Sequence, residues 1–243
     1  MQEVEEVVAR LRVARSVFVL TGSGISAESG LPTFRGAGGL WRTHRVEELA
    51  SPEGFARNPV LVWSWYNERN AAHRRADPNA GHYALASLEM QLRDVTLATQ
   101  NVDSLHIRAG SRNVLELHGS LREARCDRCG TRRPLDAAGM PLEEIEHGCG
   151  GRMRPDIVWF GESVPREHWE RAQEAASRAD VILVVGTSAV VYPAAALAAP
   201  SGNAYVAELN PEATAISARV DCVLRGTAAE ILPLLVSSLA TGS

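Results

Sequence analysis

Residues 16–36, "SVFVLTGSGISAESGLPTFRG", join a short β-branched run to a glycine-rich turn. Gly22 and Gly24 permit a tight turn and a close approach of the backbone to another group. A helix that follows such a turn directs its N-terminal amides at an anion such as a pyrophosphate. The spacing is not GxGxxG, because Gly30 comes six residues after Gly24. A plain turn between a strand and a helix therefore stays open as an alternative.

The rest of the chain continues this alternation of strand-like and helix-like segments. The predicted strands are 16–21, 94–99, 114–118, 181–187, 204–209 and 221–226. The predicted helices are 2–14, 59–75, 80–92, 167–178 and 228–240, the last preceded by a capping box at Thr227 and Glu230. This pattern predicts an α/β fold, in which a parallel sheet carries helices on both faces.

Residues 120–155 break the pattern, since they are rich in turns and charge and have few apolar side chains. Cys126 and Cys129 have the CxxC spacing with which two thiolates bind one metal ion. Cys149 supplies a third thiolate, but Glu146 stands where the partner of a second CxxC would be. A bound metal would supply the stability that this segment lacks. We therefore predict a small metal-binding insertion between two strands of the larger fold.

Composition limits the class of protein and its partners. The 243 residues are 45% hydrophobic and 22% charged, which is typical of a globular protein. A net charge of -4 disfavours nucleic acid as a partner, and no apolar run approaches the ~20 residues that span a bilayer. The acidic N-terminus is unlike a signal sequence, and clustered cysteines fit a reducing compartment. We expect a cytoplasmic monomer that binds neither nucleic acid nor membrane.

Polar residues follow the predicted strands at their carboxyl ends, where open parallel sheets bind ligands. Gln100, Asn101 and Asp103 follow the second strand, "GTS" (186–188) ends the fourth, and Asn210 ends the fifth. Such residues could be simple caps. Neutral amides beside an acid nevertheless suit a ribose and a carboxamide ring. These three ends, together with the glycine-rich turn after the first strand, indicate one shared crevice.

Together these motifs resemble those of the sirtuins, the family of NAD-dependent protein lysine deacylases. The resemblance covers about residues 13–235 and includes "GISAESGLPTFRG", "TQNVDSLH", "LHG", "CDRC", "RPDIVWFGE", "GTS" and "ELNP". It implies a Rossmann-like domain formed by 1–35, 76–119 and 156–243. A small domain would comprise a helical insertion (36–75) and a zinc ribbon (120–155). NAD and an acylated lysine of a protein substrate would bind in the cleft between them.

The resemblance also implies the roles of the residues at the cleft. His118 would be the general base, after the acyl oxygen has displaced nicotinamide, and the products would be free lysine and O-acyl-ADP-ribose. Asn101 and Asp103 would orient the carboxamide and a water, and Phe34 and Arg35 would cover the ring. The residues implied to contact NAD are Gly22, Ser23, Gly24, Ile25, Glu28, Thr33, Phe34, Arg35, Trp41, Gln100, Asn101, Asp103, Gly186, Thr187, Ser188, Asn210 and Ala228. Ser23 departs from the usual alanine, so we expect an altered affinity for NAD.

Two further segments bear on the substrate. An extended strand edge at Val158, Trp159, Phe160 and Gly161 would pair with the substrate backbone, the alternative being a buried strand with Trp159 in the core. Tyr66 and Arg69 share a helix face, and in the family this pair marks class III members, which accept acyl groups with a negative charge. A guanidinium can hold such a carboxylate in a bidentate fork. The prediction is removal of succinyl or malonyl groups, with weaker deacetylation. From spacing alone, a surface tyrosine packed on an arginine is the alternative.

The resemblance makes the metal a structural zinc held by Cys126, Cys129 and Cys149. The fourth ligand stays open between Glu146, His147 and water, and a ribbon without metal is the alternative. Other functions are transfer of ADP-ribose to protein, an NAD-sensing binding module, or hydride transfer. The presence of His118 argues against ADP-ribose transfer, and the net negative charge argues against a binding module. The lack of a separate substrate domain with an acid/base pair argues against hydride transfer.

Overall fold

The computed structural model describes residues 2–33, 45–198 and 202–241. Its strands are β1 (Val17–Thr21), β2 (Val95–Thr99), β3 (Val114–Glu116), β4 (Gly119–Cys126), β5 (Arg132–Pro134), β6 (Met153–Ile157), β7 (Val181–Val185), β8 (Tyr205–Leu209) and β9 (Cys222–Leu224). Its helices are α1 (Gln2–Val13), α2 (Val46–Leu49), α3 (Pro52–Arg57), α4 (Pro59–Arg75), α5 (Ala80–Gln91), α6 (Leu105–Arg108), α7 (Arg166–Arg178) and α8 (Ala228–Ala240). Within the described ranges, no helix has both the length and the apolar character needed to cross a membrane.

The larger sheet of the described chain has six strands in the order β3-β2-β1-β7-β8-β9, and every neighbouring pair is parallel. Numbered by their order within this sheet, the strands run 3-2-1-4-5-6, which is the order of the Rossmann fold. The winding reverses between β1 and β7. The carboxyl ends of these two strands therefore flank the crevice where such sheets bind ligands. The predicted fold class is confirmed.

The central strands are buried on both faces, as expected for a parallel sheet covered by helices. In β1, Val17 and Val19 pack in a cluster that includes side chains of α1, α5 and α8. The alternate residues Phe18 and Leu20 pack on the opposite face, against a cluster that includes alanines of α7. This two-sided burial holds the carboxyl ends of the strands, and the polar residues that follow them, in fixed positions.

A smaller antiparallel sheet has the order β5-β4-β6. It shares one hydrophobic cluster with α2, α3 and α4, in which Trp63 and Met140 are fully buried. The indole nitrogen of Trp63 also donates a hydrogen bond of 2.7 Å to the carbonyl of Met153 in β6. This common core supports the grouping of the helical insertion with the ribbon in one small domain. The exact domain limits stay a prediction.

The predicted helix limits agree with the structure to within one residue, and each predicted strand is shorter than predicted, β9 most of all because it covers only Cys222–Leu224 of the predicted 221–226. Helix α4 begins where the side chain of Asn58 accepts a hydrogen bond of 3.0 Å from the amide of Leu61. Strand β3 ends at Glu116, not at 118, and β7 ends at Val185, not at 187. Gly186 has φ of 59°, a left-handed conformation that interrupts the strand. The polar strand ends therefore lie in turns beyond the sheet.

Candidate active site

The glycine-rich turn packs directly on the end of β7. The amide of Gly22 donates to the carbonyl of Val185 at 3.1 Å, and that of Gly24 donates to the carbonyl of Gly186 at 2.8 Å. A Cβ atom at Gly24 would lie 2.7 Å from the same Gly186 oxygen. A larger side chain at Gly22 or Gly24 would thus collide with the turn that follows β7. A 3-10 segment, Ser23–Ser29, stands where the sequence predicts a helix.

Amide side chains join the carboxyl ends of β2, β7 and β8 into one polar surface. Gln100 donates from Nε2 to Oγ1 of Thr187 at 2.9 Å. Asn101 donates from Nδ2 to the carbonyl of Gly22 at 3.1 Å, and Asn210 donates from Nδ2 to the carbonyl of Thr187 at 3.2 Å. Residues from four parts of the sequence are therefore brought together at the crevice.

Asp103 lies beneath this surface and is 9% exposed. Its carboxylate accepts a hydrogen bond of 2.7 Å from Oγ of Ser26 and one of 2.9 Å from the amide of Leu105. The Asn101 side chain also donates to Ser26, at 3.2 Å. The carboxylate and the carboxamide are thus held in one hydrogen-bonded group at the bottom of the cleft.

His118 follows β3 and is half-buried next to the same surface. Its Nδ1 lies 3.0 Å from the carbonyl oxygen of Gln100. A carbonyl can only accept, so Nδ1 carries the proton and Nε2 keeps a free lone pair. Burial lowers the pKa of His118, and the hydrogen bond to Gln100 acts in the opposite direction. The imidazole is therefore neutral near pH 7, as a general base must be.

The other predicted NAD contacts differ in how they are placed. The side chains of Ile25 and Ala228 lie in the hydrophobic core, so only their backbone atoms could contact NAD. The carboxylate of Glu28 accepts from the amide of Ala229 at 3.1 Å and joins the glycine-rich turn to α8. Ser23 and Thr33 are half-buried, and Ser188 is exposed. Phe34, Arg35 and Trp41 lie outside the described residues.

Strand β6 ends at Ile157, just before the predicted strand edge at residues 158–161, and pairing of a substrate with this segment stays a prediction. The amide of Val158 donates to the carbonyl of His118 at 2.9 Å, and that of Phe160 donates to the carbonyl of Ala50 at 3.0 Å. Gly161 has φ of 88°, which turns the chain. The side chain of Trp159 is buried in the small-domain core, as in the alternative considered for it, and that of Phe160 is exposed.

Tyr66 and Arg69 lie on α4 beside this segment, and Tyr66 is buried, not at the surface. The Tyr66 hydroxyl accepts a hydrogen bond of 3.0 Å from Nε1 of Trp159, and burial raises its pKa. The guanidinium of Arg69 lies over the Trp65 ring, 3.3 Å from its centroid. Burial lowers the pKa of Arg69 to about 10. A partly desolvated cation thus lies next to a buried phenol.

Three cysteines and one histidine form a compact donor set in the small sheet. The donor atoms of Cys126, Cys129, His147 and Cys149 all lie within 4.8 Å of one another. Nδ1 of His147 is 3.1 Å from Sγ of Cys149 and 3.6 Å from Sγ of Cys129. Tetrahedral zinc with bonds of about 2.0 to 2.3 Å separates its ligand atoms by about 3.5 to 3.8 Å. The separations in this set, from 3.1 Å to at most 4.8 Å, span that range, so the four donors could hold zinc.

Glu146, the other candidate for the fourth ligand, is directed away from this set. Its carboxylate accepts a hydrogen bond of 3.0 Å from Nε of Arg152, and its side chain is exposed. Hydrogen bonds that involve Thr131 lower the pKa of Cys129 to about 6, which favours the thiolate that binds metal. The geometry therefore favours His147 over Glu146.

Residues 22–193 match the model of the Sir2 family. The chain belongs to the Sir2 family. It is 52% identical over 234 residues to NAD-dependent protein deacylase 2 of Pyrobaculum aerophilum, an alignment that covers 94% of this chain and 93% of that protein. It is 49% identical over 242 residues to an NAD-dependent protein deacylase of Thermus thermophilus, with 97% and 95% covered.

Solved structures of the Sir2 family have the same fold over nearly the whole chain. A Sir2 homologue in complex with NAD has a TM-score of 0.90 and 43% identity, and covers 98% of this chain and 94% of its own. The structure of Sir2Af2 bound to a myristoylated histone peptide has a TM-score of 0.80 and 34% identity, with 99% and 97% covered.

Sequence reasoning missed a buried polar layer beneath the cleft of this Sir2-family chain. Ser26 lies 3.4 Å from Nε2 of His82, and Thr21 lies 2.9 Å from Nε2 of His106. The two imidazole rings are 4.9 Å apart, and burial lowers the pKa of His82 to about 4. Burial also lowers the pKa of His106, so both histidines are neutral, and His82 supports Asp103 through Ser26. Their sequence positions carry no metal or catalytic spacing, so only the fold reveals them.

Proposed function

We propose that this chain removes succinyl and malonyl groups from protein lysines, and acetyl groups more slowly. The chain is an NAD-dependent protein deacylase of the sirtuin type, as its family and its relatives of about 50% identity indicate. The observation that carries the finer proposal is the partly buried Arg69 guanidinium. Within the described residues, no carboxylate forms an ion pair with it. A substrate carboxylate is the partner that this cation lacks.

The polar strand ends suit the NAD that the reaction requires. Gln100, Asn101, Ser188 and Asn210 offer neutral amides and a hydroxyl, which match the hydroxyls of ribose and the carboxamide of nicotinamide. When bound, NAD supplies the ribose that receives the acyl group and the nicotinamide that leaves. The side chains of Asn101 and Asp103 orient the carboxamide and a water molecule.

His118 moves the proton in this proposal. Its Nε2 lone pair withdraws a proton from a ribose hydroxyl, while the Gln100 carbonyl holds the ring by Nδ1, 3.0 Å away. In sequence, His118 lies between β3 of the larger sheet, which ends at Glu116, and β4 of the smaller sheet, which begins at Gly119. The protein substrate pairs with residues 158–161 in this proposal, and the acyl group enters beside Tyr66, whose hydroxyl accepts a hydrogen bond from Nε1 of Trp159.

A structural zinc, bound by Cys126, Cys129, His147 and Cys149, stabilises the ribbon. This site uses all four of its corners for protein ligands, so it has no open position at which substrate could bind. The division into a large and a small domain, with the active site between them, is part of the same proposal.

Comparison of two arginine variants tests the acyl preference. Arg69→Met removes the cation, and Arg75→Met, at the exposed end of the same helix, is the matched control. The loss of a hydrogen bond to a charged group predicts a fall of about 10- to 100-fold in kcat/KM on a succinyl peptide, with a much smaller fall on the acetyl peptide. Equal falls on both peptides would show that Arg69 does not bind the acyl carboxylate. The chain contains no lysine, so every lysine released in this assay belongs to the added peptide.

A further inference from the structure

Helix α4 carries a second polar group without a partner one turn beyond Arg69. Nε of Arg69 and Nδ1 of His73 are both buried, and neither has a hydrogen-bond partner among the described residues. The two residues are at i and i+4, so their side chains lie next to each other on one face of the helix. Two neighbouring orphan groups therefore lie on the face that already carries Tyr66.

Such pairs are uncommon, because a buried polar atom without a hydrogen bond is costly in a folded protein. Arg154 also has an Nε without a partner, but its other nitrogens bind the carboxylate of Glu162. No comparable acid binds Arg69 within the described part of the chain. The unpaired atoms of Arg69 and His73 are explained together if one ligand accepts from both.

The surroundings of His73 fit a neutral hydrogen-bond donor. Burial lowers its pKa, the nearby Arg69 acts in the same direction, and Asp103 acts in the opposite one. A neutral imidazole with its proton on Nδ1 donates a single hydrogen bond. The Arg108 guanidinium donates to the carbonyls of His73 and Ala76, at 3.0 and 2.6 Å. These bonds fix the last turn of α4 and with it the position of the imidazole.

We propose that His73 is a specificity-determining residue, which donates a hydrogen bond to the distal carboxylate of the acyl group held by Arg69. This inference rests on the proposed function, because it concerns the same pocket and the same substrate class. One oxygen of the carboxylate is bound by the guanidinium and the other by the imidazole. An acyl chain that ends in a methyl group leaves both donors unpaired, and the pocket thereby selects against it.

The test compares His73→Leu and His73→Gln in the full-length enzyme. Succinyl and butyryl peptides are the substrates, since both acyl groups have four carbons and only the former has a distal carboxylate. His73→Leu is expected to lower the succinyl-to-butyryl ratio of kcat/KM by about tenfold, the effect of losing one hydrogen bond to a charged group. His73→Gln keeps a donor and is expected to recover most of this ratio.

Each other outcome overturns a definite statement. His73→Leu could lower kcat/KM equally on the succinyl and butyryl peptides, or leave their ratio unchanged while Arg69→Met lowers that ratio. In either case His73 does not bind the carboxylate, and the proposed function still holds. If neither variant changes the ratio and the wild-type enzyme does not prefer succinyl, the proposed acyl preference and this inference both fail. Thermal unfolding of each variant shows whether a parallel loss reflects a damaged fold.

Discussion

The substitution Gly119→Ala tests how His118 is placed between the two sheets. Gly119 has φ of 75°, and a Cβ atom there would lie 2.3 Å from the carbonyl oxygen of Asp156 and 2.9 Å from Cα of Ile157. The left-handed conformation costs alanine about 1 to 2 kcal/mol. Pushing β6 away from β4 adds about 1 to 3 kcal/mol, as in an overpacked core. We expect a loss of about 2 to 5 kcal/mol in the free energy of unfolding.

Gly130→Ala is the matched control, because Gly130 has φ of 73° and no atom within 4 Å of its Cβ position. The free energy of unfolding of Gly130→Ala should fall only by the cost of the left-handed conformation, about 1 to 2 kcal/mol. Urea unfolding monitored by tryptophan fluorescence measures both variants, and deacylation assays should show a lower kcat for Gly119→Ala alone. If the two variants have the same free energy of unfolding, β6 moves aside freely. The contact between Gly119 and β6 would then not fix the position of His118.

Three further predictions follow from the site. His118→Tyr should abolish turnover while NAD still binds, as measured by calorimetry; retained deacylation would remove the assignment of the base. Burial lowers the pKa of His118, and only the neutral ring is a base. The kcat/KM should therefore be flat above pH 7 and fall as the pH drops through a value below 6.5, and a midpoint above pH 7 would contradict this. Metal analysis after dialysis against a chelator should show zinc in the wild type and in Glu146→Gln but not in His147→Ala, and the reverse order would make Glu146 the ligand.

The sequence predicts the large sheet well because its signals are local. Apolar runs with turn residues at both ends mark the strands, and Asn58 with Pro59 marks the start of α4. The ends of strands are less certain, since whether Gly186 continues β7 depends on its contact with Gly24. The end of β6 also depends on distant contacts, because the amides of Val158 and Phe160 donate to the carbonyls of His118 and Ala50.

The fourth zinc ligand and the acyl pocket also depend on contacts that spacing does not encode. Glu146 and His147 are adjacent in sequence, and only the pairing of Glu146 with Arg152 across an isolated bridge directs the two side chains apart. His73 gives no signal in sequence, because a lone histidine near a helix end is common. Its role is inferred only from its Nδ1 and the Nε of the neighbouring Arg69, which are both buried and without a hydrogen-bond partner among the described residues.

Mass spectrometry of one reaction tests the central claim, that this cleft transfers a succinyl group from lysine to the ADP-ribose part of NAD, with release of nicotinamide. The wild-type chain is incubated with NAD and a succinyl-lysine peptide, and all products are quantified. We predict equal amounts of unmodified peptide, nicotinamide and O-succinyl-ADP-ribose. Free succinate without release of nicotinamide, or ADP-ribose attached to the peptide, would contradict the account.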